Sequence, residues 1–355
     1  MGKRLIPLIY SFLFANLILA THKNGMFAED KKAFNEWKQL LKKSPLPNDN
    51  SQLRMVYRIG DEGQISPEIY LKFPWKMAFK GNDILYVTDW GGDKVIKFKL
   101  NGDFISYFGK TGHGPNDLFR PSSLMIYGEY IVVNDSGNRR VVFFDNNGIY
   151  AKSFKIFKSY YEMVISDKGQ IYAIPFFLID KDKSELVDVL DEEGHLIRSF
   201  GQYPRGIPRL REAWGHISIN PKKEEIYIAY SHFLWVQKYS TDGTLLSENR
   251  INHPAMEIKE EKNRQEIDRK GNPALFQVID AIQAADDGFF LLITYPRTEF
   301  LQYDNEGRML MDYWYSSPWD AGAGKDFVVR NVGHKKLFLL FYEKEYSSIF
   351  MFETK

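Results

Sequence analysis

Short runs in which apolar residues alternate with polar ones, or fill the run outright, recur along the chain between clusters of Gly, Asn and Asp. DILYVTD at 83–89 and YIVVN at 130–134 are rich in β-branched and aromatic residues and are cut off by breakers on both sides. A helix needs ten or more uninterrupted residues, so this pattern predicts strands. Between residues 74 and 154 the strands fall into two copies of one four-strand unit. The first reads PWKMAF, DILYVTD, DKVIKFKLNG, DFISYFG. The second reads PSSLMIY, EYIVVND, NRRVVFFDNNG, IYAKSF. In each, the second strand ends in an aspartate (Asp89, Asp135) and the third runs into Asn-Gly (Asn101-Gly102, Asn147-Gly148). Asn-Gly tolerates positive φ at both central positions and so predicts a tight two-residue hairpin.

The turn glycine returns at Gly102, Gly148, Gly194, Gly243 and Gly307, with gaps of 46, 46, 49 and 64 residues. A four-stranded antiparallel sheet cannot bury both faces alone and needs neighbours. Spacing in the mid-forties with four strands per repeat predicts an all-β, six-bladed β-propeller of four-stranded antiparallel blades, in preference to a β-sandwich. The blades are expected at 74–109, 121–154, 160–201, 214–251, 276–315 and 327–353. The last has only three strands of its own. LRMVYRIG at 53–60 resembles a fourth strand (compare FISYFG) and is expected to complete that blade, closing the ring and removing a sheet edge.

LYVTDWGGDKVIKFKLNGDFISYFGKTGHGPNDLFRP and IVVNDSGNRRVVFFDNNG resemble NHL-type repeats. The shared form is a strand, Asp-x-Gly-Asn-x-Arg-Val, a strand into an Asp/Asn-x-x-Gly turn, an aromatic-Gly pair and a Gly-x-Gly-Pro loop. The whole chain resembles exported bacterial six-bladed propellers with NHL-like blades. The match is specific in the first two blades. The Asp-x-Gly-Asn element is missing from the later ones, and no catalytic motif comes with the resemblance.

Outside the repeats, residues 1–28 look like an export signal, with Lys3-Arg4 before an apolar run from Leu5 to Ala20. This implies an exported protein, periplasmic or secreted. The alternative is an uncleaved inner-membrane anchor at residues 5–20, the membrane's one route into the picture. Residues 29–50 read as a short amphipathic helix (Phe34, Trp37, Leu40, Leu41 on one stripe) and a Pro-containing linker, and 51–355 as the propeller. Residues 252–275 form a charged insertion, expected to be helical and supported by Glu260–Arg264 at i, i+4; it is either a solvated surface helix or a lid beside the ring mouth. The 355 residues include no Cys, so there is no disulfide framework or lipidated cysteine. With 47 basic and 46 acidic residues, nucleic acid is excluded as the expected partner. A monomer is expected.

Propellers present the loops between fourth and next first strand, and between second and third strand, on one face around a central channel. Here those loops carry Trp90, His113, Arg120, Arg139, Arg205, Arg209, Trp235 and Arg297. Guanidinium forks recognise carboxylates and phosphates, and aromatic rings offer flat platforms. The resulting expectation is a binding module whose ligand, an anionic peptide or a glycan, sits over the channel mouth. The alternatives are a metal-dependent propeller enzyme of lyase or lactonase type, and a protein–protein scaffold with an apolar patch on one rim. Asp89 and Asp135 are expected to brace their turns through backbone N–H groups. No cofactor is expected from local spacing, because HExxH, Cys/His and DxDxDG patterns are absent. A divalent metal is left open. The amidating lyases with NHL-like blades assemble a metal site from distant residues; that resemblance points to His113, His216 and His232, although that family's cysteines are missing here. No G-x-S-x-G is present.

Overall fold

The computed structural model describes residues 53–59, 71–176, 185–207, 215–269, 275–294, 298–315, 323–343 and 348–354. The expected export signal and N-terminal helix lie outside these residues. Six four-stranded antiparallel sheets stand side by side in a ring as blades I to VI. Their innermost strands are Pro74–Lys80, Pro121–Tyr127, Tyr160–Ile165, Gly215–Asn220, Ala281–Ala285 and Ala323–Val332. Blade VI takes its outermost strand, Leu53–Ile59, from the other end of the chain, paired antiparallel with Ser348–Thr354. Its inner strand begins at Ala323, earlier than the sequence pattern suggests, because a bulge between Gly324 and Phe327 lets the pairing run into a stretch that reads as loop.

Burial explains why the middle strands lack alternation. Ile84–Asp89 and Tyr130–Asp135 are buried at five consecutive positions, since each blade is covered on both faces by its neighbours. The ring therefore has no central core; its apolar clusters lie between blades. Ile59 packs with Met77, Leu85 and Phe98 of blade I and with Leu339 and Met351 of blade VI, so the closing strand also seals the last junction.

The hairpins between third and fourth strands differ from the expected two-residue form. The glycines at 102, 148, 194, 243 and 307 all have positive φ, but Asn101 and Asn147 do not. Gly148 N–H returns to Asp145 O at 3.0 Å, Asp145 N–H to Ile149 O at 2.9 Å, and the register shifts between Phe143 and Phe144. This is a type I turn followed by a left-handed glycine in a bulge. The Asp145 side chain braces it by accepting from the N–H groups of Asn147 (2.8 Å) and Ile149 (2.9 Å). The glycine answers a second demand as well. A Cβ on Gly148 would lie 2.4 Å from the ring of Phe108, in the outer strand of the preceding blade. The aromatic-Gly pair and the turn glycine are thus two halves of one contact between blades.

Residues Pro254–Arg269 form the expected helix, α1. It is pinned down. Glu260 and Asn263 are buried: Glu260 accepts from Leu234 N–H at 3.0 Å and pairs with Arg264 at 2.7 Å, and Asn263 donates to His232 O at 3.0 Å and Phe276 O at 2.8 Å. Among the described residues, no helix is long and apolar enough to cross a membrane.

Gly148→Ala is expected to lower stability by about 3 kcal/mol, combining left-handed strain with overpacking against Phe108. Gly81→Ala, also at positive φ but facing open space, should lose only about 1 kcal/mol. Urea unfolding of the two variants checks the difference.

Candidate functional site at the channel

The inner edges of the blades turn unpaired backbone groups toward the channel, and at five of the six junctions a side chain of the preceding blade meets one of them. Ser123 accepts from Met163 N–H (3.1 Å), Glu162 from Ile217 N–H (3.3 Å), Ser218 from Ala284 N–H (2.9 Å), Gln283 from Val329 N–H (2.5 Å) and Asp326 from Met77 N–H (2.8 Å). These bonds place two carboxylates, Glu162 of blade III and Asp326 of blade VI, inside the ring. Lys76 of blade I answers both: it pairs with Asp326 at 3.1 Å and with Glu162 across the channel. The lysine stays charged, its pKa raised by the two carboxylates against the opposing effect of burial. Burial acts against ionised Glu162, but Lys76 and His216 overcome it and hold the carboxyl down at about 2. Asp326 is pushed up by burial despite the same lysine.

His216, on the inner strand of blade IV, has both ring nitrogens engaged. Nδ1 lies 3.2 Å from Glu162 Oε2, and Nε2 lies 3.2 Å from Oγ of Ser231, the first residue after the second strand of the same blade. The neighbouring His232 meets Phe276 O at 3.0 Å, and burial pulls it down to about 4.

A run of aromatic rings leads from the rim to this cluster. Arg120, in the left-handed conformation with its N–H on Asp93 at 2.8 Å, lays its guanidinium 5.0 Å from the ring of Trp90. Trp90, Phe73 and Trp75 pack at 5.6–6.3 Å, and Trp75 meets Tyr161 edge-on at 6.4 Å. Tyr161 in turn lies 6.2 Å from the His216 ring. Phe73, Trp75, Trp90, Arg120 and Tyr161 all remain partly exposed.

Of the sequence candidates, Trp90 and Arg120 are therefore together. His113 stands in an exposed loop between blades I and II, 2.5 Å from Asn138, with exposed Arg139 beside that asparagine. Arg205 is exposed on another loop. Trp235 begins a strand and packs into the core between blades III and IV, away from the aromatic run. Arg209 and Arg297 lie outside the described residues. Of the three histidines considered for a metal, His216 and His232 flank Ser231, while His113 joins neither. Among the described residues, the one set of three ligand atoms close enough to hold an ion is Asp191, Glu193 and His195, on an outer hairpin. There Asp191 already accepts from the N–H groups of Glu193 (3.0 Å) and His195 (2.8 Å) in the repeat's ordinary turn.

Asp89 accepts from the N–H groups of Phe73 (2.7 Å), Lys72 (3.1 Å) and Gly92 (3.1 Å), the bracing role expected for it. Asp135 accepts from Phe119 N–H at 2.7 Å and Arg140 Nε at 2.8 Å, and Arg140 also donates to Gly114 O (2.7 Å) and Asp117 O (2.8 Å), tying strand to loop.

Sequence reasoning passed over Lys76, Glu162, Ser231 and Asp326. The signal for two of them was present: a charge set inside an otherwise apolar inner strand, in PWKMAFK and YYEMVI.

Lys76→Met should destabilise the protein by about 3–5 kcal/mol at pH 8, because two buried carboxylates lose their counter-ion. Glu162's depressed pKa contributes stability that is present above about 4.5 and lost as pH falls toward about 2, so the deficit should narrow over that interval. Chemical unfolding at pH 8 and pH 3 measures both. His232 carries the opposite chemistry with the same sign. Its neutral form is favoured by folding, so the folded state loses stability as pH falls from about 6.5 toward about 4. At pH 5 this amounts to about 2 kcal/mol, and His232→Gln should flatten that part of the stability profile.

A scan against protein-family models finds no match, and neither does a search of the curated proteins. Solved structures do match. A Bacteroides fragilis NCTC 9343 protein described as exported is 13% identical, with a TM-score of 0.55 over 86% of this chain and 96% of that one. Virginiamycin B lyase from Staphylococcus aureus is 9% identical, with a TM-score of 0.52 over 84% and 99%. A gluconolactonase from Xanthomonas campestris is 13% identical, with a TM-score of 0.52 over 87% and 98%. Identities this low carry a fold and leave activity aside: what this chain shares with these proteins is the six-bladed β-propeller.

Proposed function

We propose that this chain is an exported binding propeller that takes an anionic ligand, a glycan or an acidic peptide, at the mouth of its channel. The observation that carries this reading is the partly exposed shelf of Phe73, Trp75, Trp90 and Tyr161 with the Arg120 guanidinium lying against it. Flat rings stack on sugar faces or peptide side chains, and a guanidinium held at their edge adds a fork for a carboxylate. Export rests on the N-terminal sequence and on the likeness to a protein described as exported.

The rival readings have less support. A metal enzyme of lyase or lactonase type would need the channel carboxylates as ligands, and Lys76 is paired with them. A scaffold would show an apolar patch on one rim. Among the described residues, most exposed large apolar side chains, such as Ile105, Leu196, Leu245 and Leu310, lie on the outermost strands around the perimeter, and Phe157 stands out from the loop between blades II and III.

Tryptophan fluorescence titrations against a panel of acidic and neutral oligosaccharides and peptides test the reading. Trp90→Ala should weaken binding about tenfold for every ligand that binds, roughly 1.4 kcal/mol. Arg120→Ala should weaken only the acidic ones, and exposed Lys99→Ala should change nothing. Equal affinity in all four proteins would remove the rim from consideration.

A further inference from the structure

We infer that Ser231, His216 and Glu162 form a nucleophile, base and orienting carboxylate that hydrolyse an ester, a further activity beyond ligand binding at the rim. The argument begins with the order of atoms. Ser231 Oγ lies 3.2 Å from His216 Nε2, and His216 Nδ1 lies 3.2 Å from Glu162 Oε2. An ionised carboxylate only accepts, so the neutral form of His216 is the tautomer with its proton on Nδ1, donated to Glu162. Nε2 then presents a lone pair to the Ser231 hydroxyl. That tautomer and that sequence of groups are what an acyl-transfer nucleophile requires, and they are recognised by geometry and role on any fold.

Three further features separate this chain from an ordinary polar filler. The carboxylate is kept ionised by a dedicated partner, Lys76, and its Oε2 is anchored by Ile217 N–H at 3.3 Å. The serine sits on a braced loop: its carbonyl accepts from Val278 N–H at 2.7 Å, Asn263 holds His232 O, and Glu260 holds Leu234 N–H. Tyr161 packs against His216 and continues the aromatic run from Trp75 and Trp90, so the cluster adjoins the partly exposed rings of the rim. All three residues are buried, which strengthens the hydrogen bonds between them.

The chemistry balances with water as co-reactant. Ser231 Oγ attacks the ester carbonyl carbon, and its proton passes to His216 Nε2. The carbon–oxygen bond to the leaving alkoxide breaks, and that oxygen takes the proton from Nε2. Water then attacks the acyl-serine, gives a proton to Nε2, and releases a carboxylic acid as the proton returns to Ser231 Oγ. Glu162 touches no substrate; it is a positioning residue that holds the tautomer and offsets the imidazolium charge. The titratable groups facing His216 are Glu162 and Tyr161 from blade III and His232 beside Ser231, with Lys76 behind Glu162.

The test uses the purified full chain and a fluorophosphonate probe, which phosphonylates an activated serine with loss of fluoride. Peptide mass mapping should find the adduct on Ser231, absent from Ser231→Ala, with labelling that rises with pH through a single transition. Glu162→Gln should slow labelling about a hundredfold or shift that transition while the circular dichroism spectrum is retained. Because the chain has no Cys, Ser231→Cys introduces a single thiol. Iodoacetamide should alkylate it at pH 6.5 at least tenfold faster than a free thiol, and His216→Gln should remove the advantage. Absence of the Ser231 adduct in the folded protein overturns the inference, as does labelling or alkylation that ignores His216. A failed rim titration would leave this result untouched, so the two readings stand or fall separately.

Discussion

Six sheets placed in a ring share one unavoidable problem: every innermost strand turns a backbone edge inward, where no further strand can pair with it. Side chains supply what the missing strand would have given. Ser123, Glu162, Ser218, Gln283 and Asp326 each reach across a blade junction to a backbone N–H of the next blade. Serine and glutamine solve this without charge. Where a carboxylate is used the accepted bond is stronger, but a buried negative charge comes with it. Lys76 follows from that choice, and so does the engagement of His216. The polar heart of the channel is therefore a structural necessity before it is a site, and any chemistry there draws on groups already required to close the ring.

How far this was readable from the chain depends on the range of the contacts. Turn glycines and strand-ending aspartates act on residues close in sequence or one repeat away. Asp145 braces its own hairpin, and Gly148 meets Phe108 of the preceding blade. Such signals recur with the repeat, and the six blades and the borrowed outer strand follow from them. The hairpin geometry was misread because Asn-Gly fits two turn forms, and only the aspartate two residues before Asn147, with its bonds to Asn147 and Ile149, selects the bulged one.

The channel is a different matter. Lys76, Glu162, His216, Ser231 and Asp326 come from four blades and converge only because the ring closes. No spacing encodes that. The rim was partly legible because Trp90 and Arg120 belong to adjacent loops, whereas Trp235, an aromatic at an analogous loop end, turned into the core between two blades. Loop position specifies the end of the barrel on which a residue sits, and packing decides the direction in which it faces.

The borrowed strand also sets an order of events. Leu53–Ile59 is made before any blade and pairs only with Ser348–Thr354, at the far end of the chain. Until Ser348–Thr354 has been made the growing ring stays open, with Ile59 and the blade I surface around Met77 lacking the cover of Met351 and Leu339. Early blades can gain local structure, but the circular fold locks only after the final strand is released. Whatever restrains Ser348–Thr354 thus holds the whole molecule short of its native topology.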